Sequence, residues 1–195
     1  RSFQQVLEVD LGFEPEEAVA WQLNPSRDFQ NIDEMADFHM AIVDQVAQLP
    51  GVESVGLIDA LPLGRERTWG ARIPEEDGVE TQGHSVFPHF VDAGYLETMG
   101  IPVVQGRPIL ASDDRDGPPV SLINETMARR AFPGEDPIGR RIGVTASMYD
   151  GTPDYWEIVG VVRDVRSESV TQEAVPEMYL PQGRFGPATL WVTIR

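Results

Sequence analysis

Residues 120–144, VSLINETMARRAFPGEDPIGRRIGV, decide the fold because they predict a strand, a capped helix, a turn and a second strand in succession. The apolar run 120–123 has β-branched residues at both ends, which is typical of a buried strand. Asn124 stands at the N-cap position of the next helix, and an acid follows it in the first turn, where the helix dipole favours negative charge. Pro133-Gly134 ends that helix, and 140–144 is the second predicted strand. Nothing in this unit is chemically reactive, so we interpret it as scaffold.

The composition limits the classes of function. The chain of 195 residues has 32 acidic and 15 basic residues, a net charge of −17, which argues against binding to nucleic acid or to an anionic lipid surface. It contains no cysteine, so disulfides, thiolate catalysis and cysteine zinc sites are excluded. The absence of cysteine is also consistent with a protein of an oxidising compartment. No apolar run is long enough for a transmembrane helix, and we expect any membrane anchor to lie outside this sequence.

A β-α-β unit is predicted near the start of the chain. Residues 18–23 read as a strand, 31–49 as a helix and 52–59 as a second strand. Asn31 and Glu34 have the spacing of a capping box. The apolar stripe of the helix recurs at steps of three and four residues, and consists of Met35, Phe38, Ile42, Val46 and Leu49.

The order of predicted elements gives the fold class. A β-α-β unit comes first, an irregular mixed block follows, and strands return at 155–165, 177–180 and 189–194. This order predicts an α+β fold. We assign residues 1–60 and 155–195 to one α/β subdomain, and residues 61–154 to a smaller α/β subdomain inserted into it.

The residues that could carry chemistry are few. His39 is predicted to be a partly exposed residue of the long helix, and His84 and His89 should point to opposite faces of a strand. Asp113, Asp114 and Asp116 lack the spacing of a calcium loop and are predicted to form a solvated acidic turn. We therefore predict no catalytic, cofactor-binding or metal-binding residue.

Motifs for known reactions are also missing from the sequence. There is no GxSxG elbow, no GxxxxGK[ST] loop and no GxGxxG turn. Pairs of acids such as Glu16-Glu17 are expected by chance among 32 acidic residues. A hydrolase that uses two carboxylates remains an alternative, but it would need a pocket that joins two acids with perturbed pKa values.

Several segments together resemble a known family. They are YLETMGIP at 95–102, the stretch 120–144, and WEIVGVV at 156–162, within a similarity that runs from about residue 49 to 181. In order and spacing they resemble the extracytoplasmic core domain of MacB-like ABC transporter permeases of the FtsX superfamily. Within that family the chain is most similar to the orphan permeases of acidobacteria.

The resemblance implies a location and a role. It implies a periplasmic domain of a bacterial inner-membrane protein, placed between its first two transmembrane helices, with a porter-like subdomain and a smaller inserted one. It further implies a non-catalytic part of a transport or efflux machine, in which ATP hydrolysis in the cytoplasm is coupled to the handling of a substrate or partner protein in the periplasm. The implied partners are an ATP-binding subunit or domain, reached through transmembrane helices outside this chain, a second permease copy and a periplasmic partner protein.

Two further expectations follow from the comparison of this sequence with the family pattern. In the family another helix and strand usually follow the strand that matches 189–194, so we expect a partly exposed apolar sheet face near Trp191. The alternative function is a freestanding periplasmic module that binds a ligand or acts as an adaptor. An open site between the subdomains lined by aromatic residues such as Trp69 and Trp156 would favour that alternative.

Overall fold

The computed structural model describes residues 10–16, 18–64, 67–74, 80–144, 155–167, 169, 172–187 and 189–195. Within these residues ten strands belong to one large sheet and three helices pack on it, which confirms the α+β class. The strands are β1 Val19–Leu23, β2 Val55–Ile58, β3 Trp69–Pro74, β4 Glu80–Val91, β5 Val103–Gly106, β6 Val120–Asn124, β7 Arg141–Val144, β8 Trp156–Val162, β9 Glu177–Pro181 and β10 Leu190–Ile194. The helices are α1 Ile32–Ala47, α2 Tyr95–Thr98 and α3 Glu125–Ala131.

The β-α-β unit at the start of the chain has a third strand in its middle. β10 pairs antiparallel with both β1 and β2, with Val192 opposite Trp21 on one side and opposite Leu57 on the other. β1 and β2 are therefore parallel to each other, as a β-α-β unit requires. The last strand of the chain thus completes the sheet that the first two strands begin.

Six strands form a closed ring beside this three-stranded sheet. Around the ring the order is β4-β3-β7-β8-β6-β9, and β9 pairs in parallel with β4 to close it. One hydrophobic core draws buried residues from all six strands and from α3. Its centre is aromatic, because the ring of Phe185 stacks on Phe90 at 4.2 Å and on Trp156 at 5.6 Å between ring centroids, and large aromatic side chains contribute most of the buried apolar area in a core.

The strand pairing between the ring and the three-stranded sheet is short, although one hydrophobic core spans both. β2 and β4 share one register pair, Ile58 with Val91. Two aspartates extend this contact through their side chains, because Asp59 Oδ1 accepts the Phe90 N–H at 2.9 Å and Asp92 Oδ1 accepts the Leu57 N–H at 2.8 Å. The N–H groups of the same two aspartates donate back to the Phe90 and Leu57 carbonyl groups at 3.1 and 3.2 Å, so side chains and backbone both connect the two strands.

The opening unit at 120–144 forms as predicted. The strand is β6, the helix is α3 and the second strand is β7, with the turn at Pro133-Gly134 between them. Asn124 caps α3 by accepting the Met127 N–H at 2.9 Å. Its side chain also contacts the segment that leads into β9, because it accepts the Glu177 N–H at 3.0 Å and donates to the Val175 carbonyl at 2.7 Å. One side chain therefore caps the helix and holds two strands together.

The long helix differs from its prediction in length and in buried face. α1 ends at Ala47, so Leu49 lies beyond it and is exposed, and the buried positions are Ala36, His39 and Val46. The predicted stripe is right at Ile42 and Val46, which pack in the core, and wrong at Leu49. It misses Ala36 and His39 because α1 is covered on two sides, by the sheet and by the segment 182–186.

The cap of α1 is only partly as predicted. Asn31 accepts the Glu34 N–H at 2.8 Å, as expected, but the Glu34 carboxylate accepts the N–H of Gln30 rather than that of Asn31. The reciprocal bond of a capping box is thus displaced by one residue.

The division into two subdomains stays a prediction. β8, from the segment 155–195, is hydrogen-bonded to β6 and β7, which belong to the segment 61–154. Strand pairing therefore connects the two predicted units directly.

Candidate functional site

A polar crevice of about 590 Å³ lies where β6 and β8 end. These two strands are parallel neighbours, so the residues that follow each of them meet at one edge of the sheet. β6 leads into α3, and β8 leads into the segment that starts at Arg163. The lining residues are Asp10, Gly12, Glu125, Thr126, Arg129, Arg130, Arg163, Asp164, Arg166, Glu173 and Ala174.

Asp164 anchors the floor of the crevice. Its carboxylate accepts the Thr126 N–H at 2.7 Å and the Thr126 hydroxyl at 2.8 Å, and Arg129 donates to it at 2.9 Å. The Glu125 carboxylate in turn accepts a hydrogen bond from the Asp164 N–H at 3.1 Å. These contacts fix the first turn of α3 against the end of β8.

One wall of the crevice is formed by residues 10–12. The Arg166 N–H donates to the Leu11 carbonyl at 3.0 Å, and Arg163 pairs with the Asp10 carboxylate at 2.8 Å. Gly12 has φ +80°, and a Cβ there would lie 2.0 Å from the Asp164 carbonyl oxygen. Only glycine allows the wall to approach the floor this closely.

The sequence interpretation missed this crevice, although a signal was available. An arginine pair, Arg129 and Arg130, follows β6, and a second pair, Arg163 and Arg166, follows β8. Ligands of open α/β sheets commonly bind outside the carboxyl ends of neighbouring parallel strands. Basic residues after two such strands could therefore have been placed together.

Four other polar groups form a cluster in the interior. Glu177 accepts hydrogen bonds from Ser167, from the Tyr179 hydroxyl at 2.9 Å and from His89 Nε2 at 3.1 Å, and the His89 ring stacks on Tyr179 at 4.7 Å. All four residues are buried. A serine nucleophile needs a histidine base beside its hydroxyl, whereas Ser167 donates to the glutamate. The cluster therefore lacks the arrangement of a catalytic triad.

His39 is fully buried, which contradicts the prediction of a partly exposed helix residue. It lies beneath Phe29 and Phe38 and next to Gln182. Burial lowers the pKa of His39, and proximity to Gln182 partly offsets this. The prediction was wrong because the segment 182–186 covers that side of α1, and this contact is remote in sequence.

The acidic turn at 113–116 is also less solvated than predicted. Asp113 is buried and forms a two-pronged pair with Arg107, with contacts of 2.5 and 3.1 Å. Burial alone would raise the pKa of Asp113, but the bonds from Arg107 and from the Leu110 N–H outweigh it and lower the pKa. Burial raises the pKa of Asp114, which accepts the Gly183 N–H at 2.9 Å. These acids serve as hydrogen-bond acceptors within the fold, while Asp116 is exposed.

Among the described residues, no group of three His, Asp or Glu side chains is placed to hold a metal ion. Trp69 and Trp156, which could have lined an aromatic site between subdomains, are both buried in the core of the ring. Trp191 is partly buried, and on the adjacent strand β1 two apolar side chains are exposed, Val19 (62%) and Trp21 (37%).

The sequence profile of the MacB-like periplasmic core domain matches residues 6–195. The chain belongs to this family. It is the periplasmic core domain of a MacB-like ABC transporter permease, and its homologues are domains of transporters rather than enzymes. Within the described residues, no helix has the length and apolar character needed to cross a membrane.

Solved structures of the family share the fold. The periplasmic region of MacB from Actinobacillus actinomycetemcomitans is 16% identical with a TM-score of 0.59, over 98% of this chain and 79% of that one. The extracellular domain of the ABC-type transporter YknZ from Gram-positive bacteria is 18% identical with a TM-score of 0.57, over 92% of this chain and 83% of that one. A domain of a putative permease from Porphyromonas gingivalis is 19% identical with a TM-score of 0.51, over 78% of this chain and 64% of that one. No curated protein sequence matches this chain.

Proposed function

We propose that this domain is a non-catalytic mechanical element that transmits movements driven by ATP hydrolysis in the cytoplasm to a substrate or partner protein in the periplasm. The observation that supports this most directly is the closed ring, in which six strands surround one hydrophobic core. Arg195, directly after β10, donates to the Glu14 carbonyl at 2.8 Å and to the Thr98 carbonyl at 3.0 Å, which fixes the end of β10 to the segment before β1 and to α2.

The ring is suited to move as a unit. The closed ring leaves none of its six strands as a free edge within the ring, and closure of a sheet removes the mobile edge pairing that lets strands slip. The buried acids of the interior are engaged as hydrogen-bond acceptors, as Glu177 and Asp113 illustrate. Both features favour a stiff transmitter over an active site.

The proposed partners follow from this role. An ATP-binding subunit or domain would act from the cytoplasmic side through transmembrane helices outside this chain. A second permease copy and a periplasmic partner protein would receive the movement.

Distance measurements on the membrane-embedded permease with its ATP-binding subunit test the proposal. This chain has no cysteine, so spin labels can be attached at Gln22→Cys and Glu135→Cys, both exposed positions of the domain. We expect the distance between these two labels to stay constant when ATP is added. The distance from Gln22→Cys to a label in a transmembrane helix should change.

Two outcomes would overturn the proposal. One is an unchanged distance to the transmembrane helix in a complex that hydrolyses ATP. The other is a change between the two labels within the domain, since a transmitter that deforms does not pass movement on.

A further inference from the structure

The segment 182–186, which we call the strap, joins the ring to the three-stranded sheet and contacts both. It follows β9 of the ring and leads towards β10 of the sheet. On one side Phe185 reaches into the aromatic centre of the ring. On the other side Gly186 packs against α1, and the Gln182 amide contacts the Met40 sulfur at 3.9 Å. The contact between the strap and α1 is therefore one of the links between the two parts of the molecule.

His39 of α1 lies in this contact and is suited to it only as a neutral ring. The side chain is fully buried, and within the described part of the chain neither ring nitrogen makes a hydrogen bond. The rings of Phe29 and Phe38 lie 6.5 and 5.9 Å away between centroids. Burial lowers the pKa of His39, and the nearby Gln182 opposes this shift only in part. An imidazolium in this place would be a buried charge without an anionic partner, which is costly.

Two cations on the packed elements add to that cost. Arg27 lies over the rings of Phe29 and Phe38, at 4.6 and 5.0 Å from their centroids. Arg184 belongs to the strap and donates to the Gly117 carbonyl. A nearby charge of the same sign disfavours a protonated histidine.

The acids of the packed elements do not compensate for a proton on His39. Asp33 and Asp37 of α1 already pair with Arg115, at 3.5 and 3.3 Å. Burial raises the pKa of Asp114, which accepts the strap's Gly183 N–H, so acidification strengthens the fold there instead of loosening it. The remaining acids of α1 and of the segment before it lie towards solvent, and are Asp28, Glu34 and Asp44.

We propose that His39 is a pH-sensitive switch, and that protonation of its ring releases the strap from α1. The charged ring requires water, so the contact must open to admit it. The open form binds the proton at the ordinary histidine pKa of 6.5, whereas the closed form binds it only at a lower pH. The closed form therefore predominates above about pH 6.5, and its advantage falls by up to tenfold per pH unit as the pH drops below that value. As a regulator of coupling between α1 and the ring, the switch rests on the proposed function.

Amide hydrogen exchange of the 195-residue chain, followed by NMR, tests the switch. The reporters are the Phe185 and Gly186 N–H groups, which both donate to the Gln182 carbonyl, at 3.0 and 3.1 Å, and therefore involve no titratable group. We expect their exchange rates, corrected for the intrinsic effect of pH, to rise by up to tenfold per pH unit below about pH 6.5. The ring signals of His39 should titrate below that pH in the same samples.

Two variants separate the switch from general effects of acid. His39→Phe keeps a ring of similar size without a titrating group, so the corrected exchange of Gly186 should become independent of pH. His84→Gln is the matched control, because His84 is a half-buried histidine of β4. Its pH dependence of exchange at Gly186 should equal that of the parent.

Three results would refute the switch. They are exchange at Gly186 that does not change with pH in the parent, a His39 ring that titrates at or above its ordinary pKa, and the same pH dependence in His39→Phe as in the parent. The first two are read from the parent alone, so they decide even where His39→Phe does not fold. None of these results bears on the ATP-dependent distance change, so the two proposals fail separately.

Discussion

Replacement of Glu177 by alanine tests whether the buried polar cluster stabilises the fold. Glu177 is fully buried and accepts hydrogen bonds from three side chains, those of Ser167, His89 and Tyr179. All three donors lose this acceptor in Glu177→Ala. Since the site is closed to solvent, water cannot readily replace the carboxylate.

The expected loss of stability is large. A buried hydrogen bond that is broken from one side costs about 1–3 kcal/mol, and three such bonds set an upper range of about 3–9 kcal/mol. Removal of the carboxylate also relieves its own cost of burial, and measured losses on removing one partner of a buried pair are about 3–5 kcal/mol. We therefore expect Glu177→Ala to destabilise the domain by about 4 kcal/mol. Glu177→Gln, which keeps two polar atoms, should cost about half as much.

Urea unfolding followed by tryptophan fluorescence measures the effect. With a slope of about 2 kcal/mol per molar urea, the midpoint of Glu177→Ala should fall by about 2 M. Glu173→Ala is the control, because Glu173 is exposed four residues earlier, and its stability should stay within about 0.5 kcal/mol of the parent. A Glu177→Ala protein within about 1 kcal/mol of the parent would refute the assignment of the cluster to stability.

Three further predictions concern the framework, and each is measured by urea unfolding. Gly56→Ala should lower the free energy of unfolding by about 3 kcal/mol, because the added Cβ would lie 2.4 Å from the Tyr95 Cα and backbone atoms cannot move aside. A variant as stable as the parent would contradict this. Asn124→Ala should cost about 2–3 kcal/mol through three lost hydrogen bonds, and a loss below about 1 kcal/mol would count against its role as a link. Burial raises the pKa of Asp92 to about 7 from 3.8, although backbone N–H groups oppose the rise. Its protonated form therefore stabilises the fold fully below about pH 4, and this contribution declines to zero as the pH rises through about 7. Relative to Asp92→Asn, the parent should lose about 2–3 kcal/mol between about pH 5 and pH 8, and parallel pH profiles would disprove this.

Local chemistry made part of the fold predictable. The unit at 120–144 was placed correctly because each of its boundaries is set by a nearby residue, such as Asn124 at the helix start and Pro133-Gly134 at its end. Asn31 marked the start of α1 for the same reason. A cap acts within three residues, so the sequence displays both partners together.

The errors arose where the deciding contact is remote in sequence. His39 is buried because residues 182–186 cover α1, more than 140 positions away. Asp114, in the acidic turn, accepts the N–H of Gly183, which lies 69 positions away. Neither the closure of the ring by β9 against β4 nor the position of β10 between β1 and β2 leaves a periodic signal in the sequence. Strand partners are set by tertiary packing, which periodicity does not encode.

The junction between the ring and the three-stranded sheet gives the transmitter model a mechanical consequence. β2 and β4 share a single register pair, and Asp59 and Asp92 add side-chain and backbone bonds between the two strands. One hydrophobic core also spans the junction, because Ile58 of β2 and Leu122 of β6 belong to the same buried cluster. Asp92 accepts a bond from β2 and lies just before α2, which packs on the same strand at Gly56. Since the two parts share a core, we expect them to unfold together, and a movement applied to one part should reach the other.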